Sequence, residues 1–194
     1  MAKPANKMDI AKKKVITPIF RVSFPQVFTP KQFGDQKPKY SLTMLFDKKT
    51  DIKTIKQAAF NAALEQFGSK ERFPKNMKWP WRDGDQKEDV AGYAGHIFIS
   101  ASAKESSQPG LVDKDRQPIL NERDFYAGCY ARAELIAFYY DQQGNKGVSF
   151  SLQNIQKWKD GEAFSGRKNA EDVFDDLEDD SDDESNYADD DMGF

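Results

Sequence analysis

One cysteine, Cys129, and one histidine, His96, are all that this chain of 194 residues carries of either type. A single thiol excludes an intrachain disulfide, and the pair cannot supply the Cys/His set of a structural zinc site. Cys129 lies in an apolar, alternating segment and reads as a small buried hydrophobe rather than a nucleophile. His96 opens a strand and reads as a surface residue. No run approaches the roughly 20 apolar residues of a membrane span, and the start, MAKPANKMDIAKKK, lacks the apolar stretch of a signal peptide. The expectation is a cytoplasmic protein with no membrane partner. A phosphate-gripping glycine loop and a nucleophile–base set are also missing, so no catalytic residue, metal or cofactor is expected.

Basic residues are missing from one stretch altogether. Residues 171–194, EDVFDDLEDDSDDESNYADDDMGF, hold thirteen of the 32 Asp and Glu and none of the 29 Lys and Arg, leaving residues 1–170 with a formal net charge of +10. The net of −3 for the whole chain therefore conceals a basic body joined to an acidic tail. Such a body suits a polyanion, with nucleic acid the expected one, and such a tail can compete for the same surface. The reading divides the chain into a basic arm (1–14), one folded domain (15–170) and a disordered acidic tail (171–194) ending on Phe194.

Within the body, VITPIFRVSFPQVF alternates, with Ile16, Phe20, Val22 and Phe24 on one face. Pro25 and Pro30 are expected to break the pattern before a second strand, KYSLTMLFD, with Tyr40, Leu42, Met44 and Phe46 on its apolar face. Helical spacing follows, with Thr50 or Asp51 as cap, Ile52, Ile55, Ala59, Ala62 or Ala63 and Phe67 as the apolar stripe, and Gly68 as the stop. Residues 69–93 show no sustained period and read as a long functional loop. GHIFISASAK is a strand with Phe98 on its polar side. FYAGCYARAELIAFYYD and VSFSLQNIQKWKDG form a closing hairpin across QQGNKG. Five main strands and one inserted helix describe a mainly β, small antiparallel barrel, whose tight interior suits the Ala-rich strand.

Sequence-tolerant binding of a single strand needs cations along the phosphates and flat side chains on which bases stack. Lys78-Trp79-Pro80-Trp81-Arg82 and Lys157-Trp158-Lys159 offer both in alternation. Phe98 and Tyr130 fall on polar strand faces, where the alternative is cover by the helix or a loop. Arg21 and Arg132 interrupt apolar strands on the outward side, and Lys39 stands among the lysines around the second strand. The DNA-contact set is thus Arg21, Lys39, Lys78, Trp79, Trp81, Arg82, Phe98, Tyr130, Arg132, Lys157 and Trp158. In the tail, the acids before an aromatic end form a tip that a basic-rimmed apolar pocket on a partner can capture.

That tip, Asp189-Asp190-Asp191-Met192-Gly193-Phe194, resembles the acidic tip of bacterial single-stranded DNA-binding proteins, a run of Asp followed by a short spacer and Phe. The body resembles instead the phage single-stranded DNA-binding proteins of the podophage replication type and a related phage family. The likeness lies in the basic start, the strand–helix–strand order, the closing strand pair and the acidic tail. The resemblance implies an OB-fold with an inserted helix that coats single-stranded DNA with little sequence preference in replication, recombination and repair. It also implies recruitment of a polymerase, helicase or nuclease through Asp189, Asp190, Asp191 and Phe194, in the host cytoplasm. Duplex DNA as a second substrate and a homodimer stay open. Two other readings compete: a metal-dependent nuclease, for which Glu88, Asp89, Asp113 and Asp115 would have to gather around Mg²⁺, and an acidic interaction protein that never touches DNA.

Overall fold

The computed structural model describes residues 11–164 except 33 and 88, so Glu88, most of the basic arm and the tail with Asp189, Asp190, Asp191 and Phe194 lie outside the described residues. The elements follow as β1 (Lys14–Ile16), β2 (Phe20–Lys31), β3 (Lys39–Asp47), α1 (Lys53–Phe67), β4 (Trp81–Asp83), β5 (His96–Lys104), β6 (Gly110–Val112), β7 (Tyr130–Gln142) and β8 (Asn145–Lys159). Strands β7, β2, β3, β5 and β8 pair in that order, and β8 pairs back onto β7. The result is a closed five-stranded ring with β1, β4 and β6 added outside it, the OB-like architecture that the strand count implies.

Period-2 alternation fills the ring. Tyr40, Leu42, Met44 and Phe46 of β3, Ile99, Ala101 and Ala103 of β5, Ala131, Ala133, Leu135 and Ala137 of β7, and Phe150 and Leu152 of β8 are all buried. Helix α1 packs on β7, β1 and β8 through Ile55, Ala58, Ala59, Ala62 and Ala63. Small side chains on both sides let helix and sheet approach closely, and each fully buried large side chain contributes roughly 1.5–3 kcal/mol. Asp51 Oδ1 accepts the Lys53 N–H at 2.9 Å at the helix start. At the helix end the Gly68 N–H donates to the Leu64 carbonyl at 2.7 Å. The closing hairpin turns through Gln143 and Gly144, both at positive φ (51° and 85°), the type I′ geometry that matches strand twist. Cys129 is buried in the core, and burial pushes its thiol pKa up, away from a reactive thiolate. His96 is half-buried, its Nδ1 lying 2.8 Å from the Ala94 carbonyl. No helix among the described residues is long and apolar enough to cross a membrane.

Four features depart from the sequence expectation. Four joints of the ring are antiparallel, but β5 and β8 meet in parallel through Ala101↔Phe150 and Ser102↔Ser151, which strands distant in the chain can do and hairpin neighbours cannot. The first expected strand splits into β1 and β2 at Thr17-Pro18-Ile19. There the Thr17 N–H donates to the Ala133 carbonyl at 2.9 Å, and its Oγ1 accepts the Ala133 N–H at 3.0 Å. That break resets the alternation, leaving Ile16 63% exposed while Val15 is buried. β2 then runs through Pro25 and Pro30 instead of ending, because its register with β3 is interrupted between Ser23 and Gln26 and again between Gln26 and Lys31. The first interruption also turns Phe24 out of the core face, to 59% exposure.

The fourth departure is strand β4, inside the expected loop, paired with β5. Lys48 clasps this region, bonding Asp83 at 2.8 Å and also Asp85, while Asp85 Oδ1 accepts the Gly95 N–H at 2.7 Å. The hydrogen bonds from Lys48 hold both carboxyls below the ordinary carboxylate range and raise the lysine in turn.

Candidate nucleic-acid interface

Strand register assembles the outer face of β2, β3 and β5. Tyr130 lies opposite Lys159 and Arg21, Arg21 opposite Leu45, Leu45 opposite Phe98, and Phe98 opposite Arg82. These six side chains form one row across six strands, with a cation at each end and another inside. Further along the strands the rows become small and polar: Ser23–Thr43–Ser100, then Gln26–Ser41–Ser102. Thr43 and Ser100 hydroxyls bond at 3.0 Å. The last row is Lys31–Lys39–Lys104. From Leu45 to Lys39 is a run of about 20 Å at strand rise. The face therefore has a cationic and aromatic end, a hydroxyl floor and a lysine end.

At the aromatic end Arg21 is held in place. Its Nε donates to the Gly128 carbonyl at 3.3 Å and its Nη2 to the Glu162 carbonyl at 2.8 Å. Its guanidinium lies 4.4 Å from the Phe164 ring centre and 5.4 Å from that of Tyr130. Phe164 closes on Gly92, where an added Cβ would sit 2.3 Å from the ring, and its N–H donates to the Ala127 carbonyl at 3.0 Å. Tyr93 lies edge-on to Phe98 at 5.1 Å. With Leu45 it seals that ring to 5% exposure. Lys87 Nζ at 5.2 Å and Arg82 at 6.0 Å lie over Phe98, so the outward aromatic is covered by a loop bearing a cation.

Beyond Tyr130, Trp158 is 49% exposed and meets the tyrosine edge-on at 6.4 Å, with Lys159 Nζ 4.6 Å from the indole centre. Arg132 donates from Nε and Nη2 to Gln156 Oε1 at 2.9 and 2.7 Å. Arg132, Lys157 and Trp158 share an open hollow of about 300 Å³. Lys157 Nζ bonds Asp160 at 2.6 Å and lies 5.4 Å from the Tyr126 ring, and this bond lowers the Asp160 pKa. Burial raises the Tyr126 hydroxyl.

The other predicted residues lie elsewhere. Trp81 alternates with Arg82 on β4 and opposes Ile99, so it turns toward the helix. Trp79 stacks on Trp81 (5.0 Å, 16°) and on Phe60 of α1 (6.4 Å, 9°), with Phe73 tilted against it at 6.2 Å. Both indoles are half-buried against the core, and Lys56 Nζ lies 5.5 Å from Trp81. Lys78 uses its backbone, donating to the Lys146 carbonyl and accepting the Val148 N–H, each at 2.9 Å. The structure thus gathers Arg21, Lys39, Arg82, Phe98 and Tyr130 on one face with Arg132, Lys157 and Trp158 beside its end, and separates Lys78, Trp79 and Trp81 from them. Sequence reasoning missed Tyr93, Lys87, Lys104 and Phe164. Their convergence depends on register and on loop closure, for which no local pattern exists. Of the acids considered for a metal, Asp113 Oδ1 accepts the Asp115 and Gln117 N–H groups at 2.8 Å, a turn-capping role.

Comparison with known proteins agrees with this architecture. The family described as "Enterobacter phage Enc34, ssDNA-binding protein" matches residues 13–185. Protein p50 of Acyrthosiphon pisum secondary endosymbiont phage 1 is 37% identical over 169 residues, covering 81% of this chain and 90% of that protein. Among solved structures, the single-stranded DNA-binding protein of bacteriophage Enc34 superposes with a TM-score of 0.63 at 25% identity, over 89% of this chain and 98% of that one. The same protein in complex with single-stranded DNA gives 0.67 at 24%, over 83% and 97%. The gp2.5 single-stranded DNA binding protein of bacteriophage T7 shares the fold at 10% identity, with a TM-score of 0.58 over 82% and 98%. The match over most of the body, on a closed five-stranded ring of the same architecture, shows that the chain belongs to the family of the phage Enc34 single-stranded DNA-binding protein.

Proposed function

We propose that this protein coats single-stranded DNA during phage replication, recombination and repair in the host cytoplasm, holding the strand along the outer face of β2, β3 and β5. The observation that carries this reading is the register, which lines up Arg21, Tyr130, Lys159 and Arg82 at one end of a hydroxyl floor and Lys31, Lys39 and Lys104 at the other. Cations at both ends grip phosphates through counterion release, and the small floor lets the backbone approach. The aromatic end supplies stacking area at Tyr130 and Trp158. Arg132 and Lys157 extend the track into the hollow beside Trp158, Phe98 serves as sealed support, and Lys78, Trp79 and Trp81 brace the barrel. Family membership supports a binding role without catalysis.

The acidic tail adds a second part to the proposal. Asp189, Asp190, Asp191 and Phe194 dock a replication protein such as a polymerase, helicase or nuclease, and the thirteen tail carboxylates compete with DNA for the basic body. Pairing of two copies is a separate expectation, read by sedimentation of the DNA-free protein. The test of the main reading is titration of a labelled dT oligonucleotide and a duplex of equal length at several salt concentrations, with and without residues 171–194. Single strands should bind more tightly than duplex, and removal of the tail should tighten binding most at low salt. Equal affinity for both forms, or none for either, contradicts the reading.

A further inference from the structure

Three non-glycine residues among those described hold positive φ: Phe24 at 44°, Arg116 at 66° and Gln143 at 51°. Arg116 and Gln143 occupy tight turns, where that geometry reverses the chain. Phe24 lies inside β2 and precedes Pro25, a position where steric contact with the proline ring already restricts the backbone to extended conformations. A bulky aromatic residue in the left-handed region costs of order 1–3 kcal/mol unless its surroundings impose it.

The surroundings do impose it. On one side, the Val22 N–H donates to the Cys129 carbonyl at 2.9 Å, and the Val22 carbonyl accepts the Gly128 N–H at 2.8 Å. Ser23 is buried, and its Oγ donates to the Tyr93 hydroxyl at 3.5 Å. On the other side, pairing with β3 resumes at Gln26 opposite Ser41. Between these fixed points the bulge takes a residue that alternation would send inward and presents its ring to solvent. The ring is 59% exposed, with its centre 6.5 Å from that of Tyr93. A core phenylalanine is thus given up, with backbone strain added, to place one free aromatic face beside the hydroxyl floor.

We propose that Phe24 is a base-stacking residue of the single-strand site and, beside Tyr130 and Trp158, a residue that discriminates single from double strands. The proposal rests on the reading of the β2–β3–β5 face as that site. A phenyl face can stack only on a base whose own face is free. An unpaired strand offers such bases throughout, whereas a duplex offers them only at its ends. Arg21, Lys39 and the other cations grip phosphates of either form, so stacking on exposed rings such as Phe24, not the charge, separates the two.

The test uses full-length protein with the F24G, F24L and F24W variants, a dT oligonucleotide and a duplex of equal length. Glycine accepts positive φ without strain, so F24G should melt at or above the wild-type temperature while losing roughly 5- to 150-fold in dT affinity. F24L keeps apolar bulk without a flat face and should show the same loss, whereas F24W should bind within a few-fold of wild type. Duplex affinity and the salt slope should not change in any variant. If F24G and F24L both bind dT as wild type does, or lose dT and duplex affinity in equal measure, the proposal is overturned. Wild-type protein that binds no dT oligonucleotide overturns the reading of the face, and the proposal with it.

Discussion

Two clusters of aromatic rings and cations, built from the same residue types, differ in what covers them. On the helix side, Phe60, Trp79 and Trp81 stack nearly parallel beneath Lys56, with Phe73 closing one flank, and Phe73 and both indoles lie against the core. At the end of the β2–β3–β5 face, Tyr130 and Trp158 meet edge-on, Lys159 lies over both, and the indole is half in solvent. Composition does not separate these clusters; the partner of each ring does. A ring already stacked on another ring has spent the face that a base would need, while an edge-on ring keeps one free.

The comparison is sharpened first by stability. Trp79→Ala removes a ring packed between Phe60, Phe73 and Trp81 and should cost about 3 kcal/mol, the low end for a tryptophan because part of the indole is already exposed. DNA affinity of the folded fraction should stay at the wild-type level. Chemical denaturation alongside oligonucleotide binding separates the two effects, and a folded variant with weakened binding would break the contrast between clusters. Tyr130→Ala should behave in the opposite sense, losing roughly 1–3 kcal/mol of single-strand affinity for a smaller loss of stability.

Lys39→Ala should act more gently. Lys39 neutralises at most one phosphate, so the slope of log K against log salt should flatten by roughly 0.7. An unchanged slope would detach the lysine end from the site.

The smallest effect concerns the Lys48 clasp that holds the loop carrying Lys87 and Tyr93. Asp83 and Asp85 have folded pKa values below their ordinary range. Their contribution to stability is therefore present above about pH 4 and is lost as pH falls through the folded values. Lys48 is shifted upward, so its contribution is present below its ordinary value and fades as pH rises through the raised one. Lys48→Met should lower the melting temperature slightly at pH 6, and the gap from wild type should close on acidification toward pH 3. A gap that stays constant across that range would show that the clasp does not contribute through charge.

How much of this was legible in the sequence follows from what is local. The alternation of Tyr40, Leu42, Met44 and Phe46 and the helical spacing of Ile55, Ala59 and Ala62 are local signals that form the expected elements, and the Gly-Asn signal marks the closing hairpin, although the turn itself falls on Gln143-Gly144 and Asn145 opens β8 opposite Gln142. Phe24 and Ile16 misled because alternation presumes an unbroken ladder, and the breaks at Thr17–Ile19 and after Ser23 reset its phase. Pro18 and Pro25 were the available signs of those breaks. For the site, polarity correctly marked Arg21, Tyr130 and Arg132 as outward. The row that unites Lys159, Tyr130, Arg21, Phe98 and Arg82 depends on pairing between strands far apart in the chain, which no window of sequence contains.

The most direct test asks which cluster meets the strand. Trp79, Trp81 and Trp158 are the three tryptophans of the protein, so its indole fluorescence reports on these two clusters and on nothing else. On addition of a dT oligonucleotide, quenching should persist in a Trp79→Phe/Trp81→Phe double variant and vanish in Trp158→Phe. Quenching that survives in Trp158→Phe and disappears in the double variant would put the strand on the helix side and contradict the assignment of the β2–β3–β5 face.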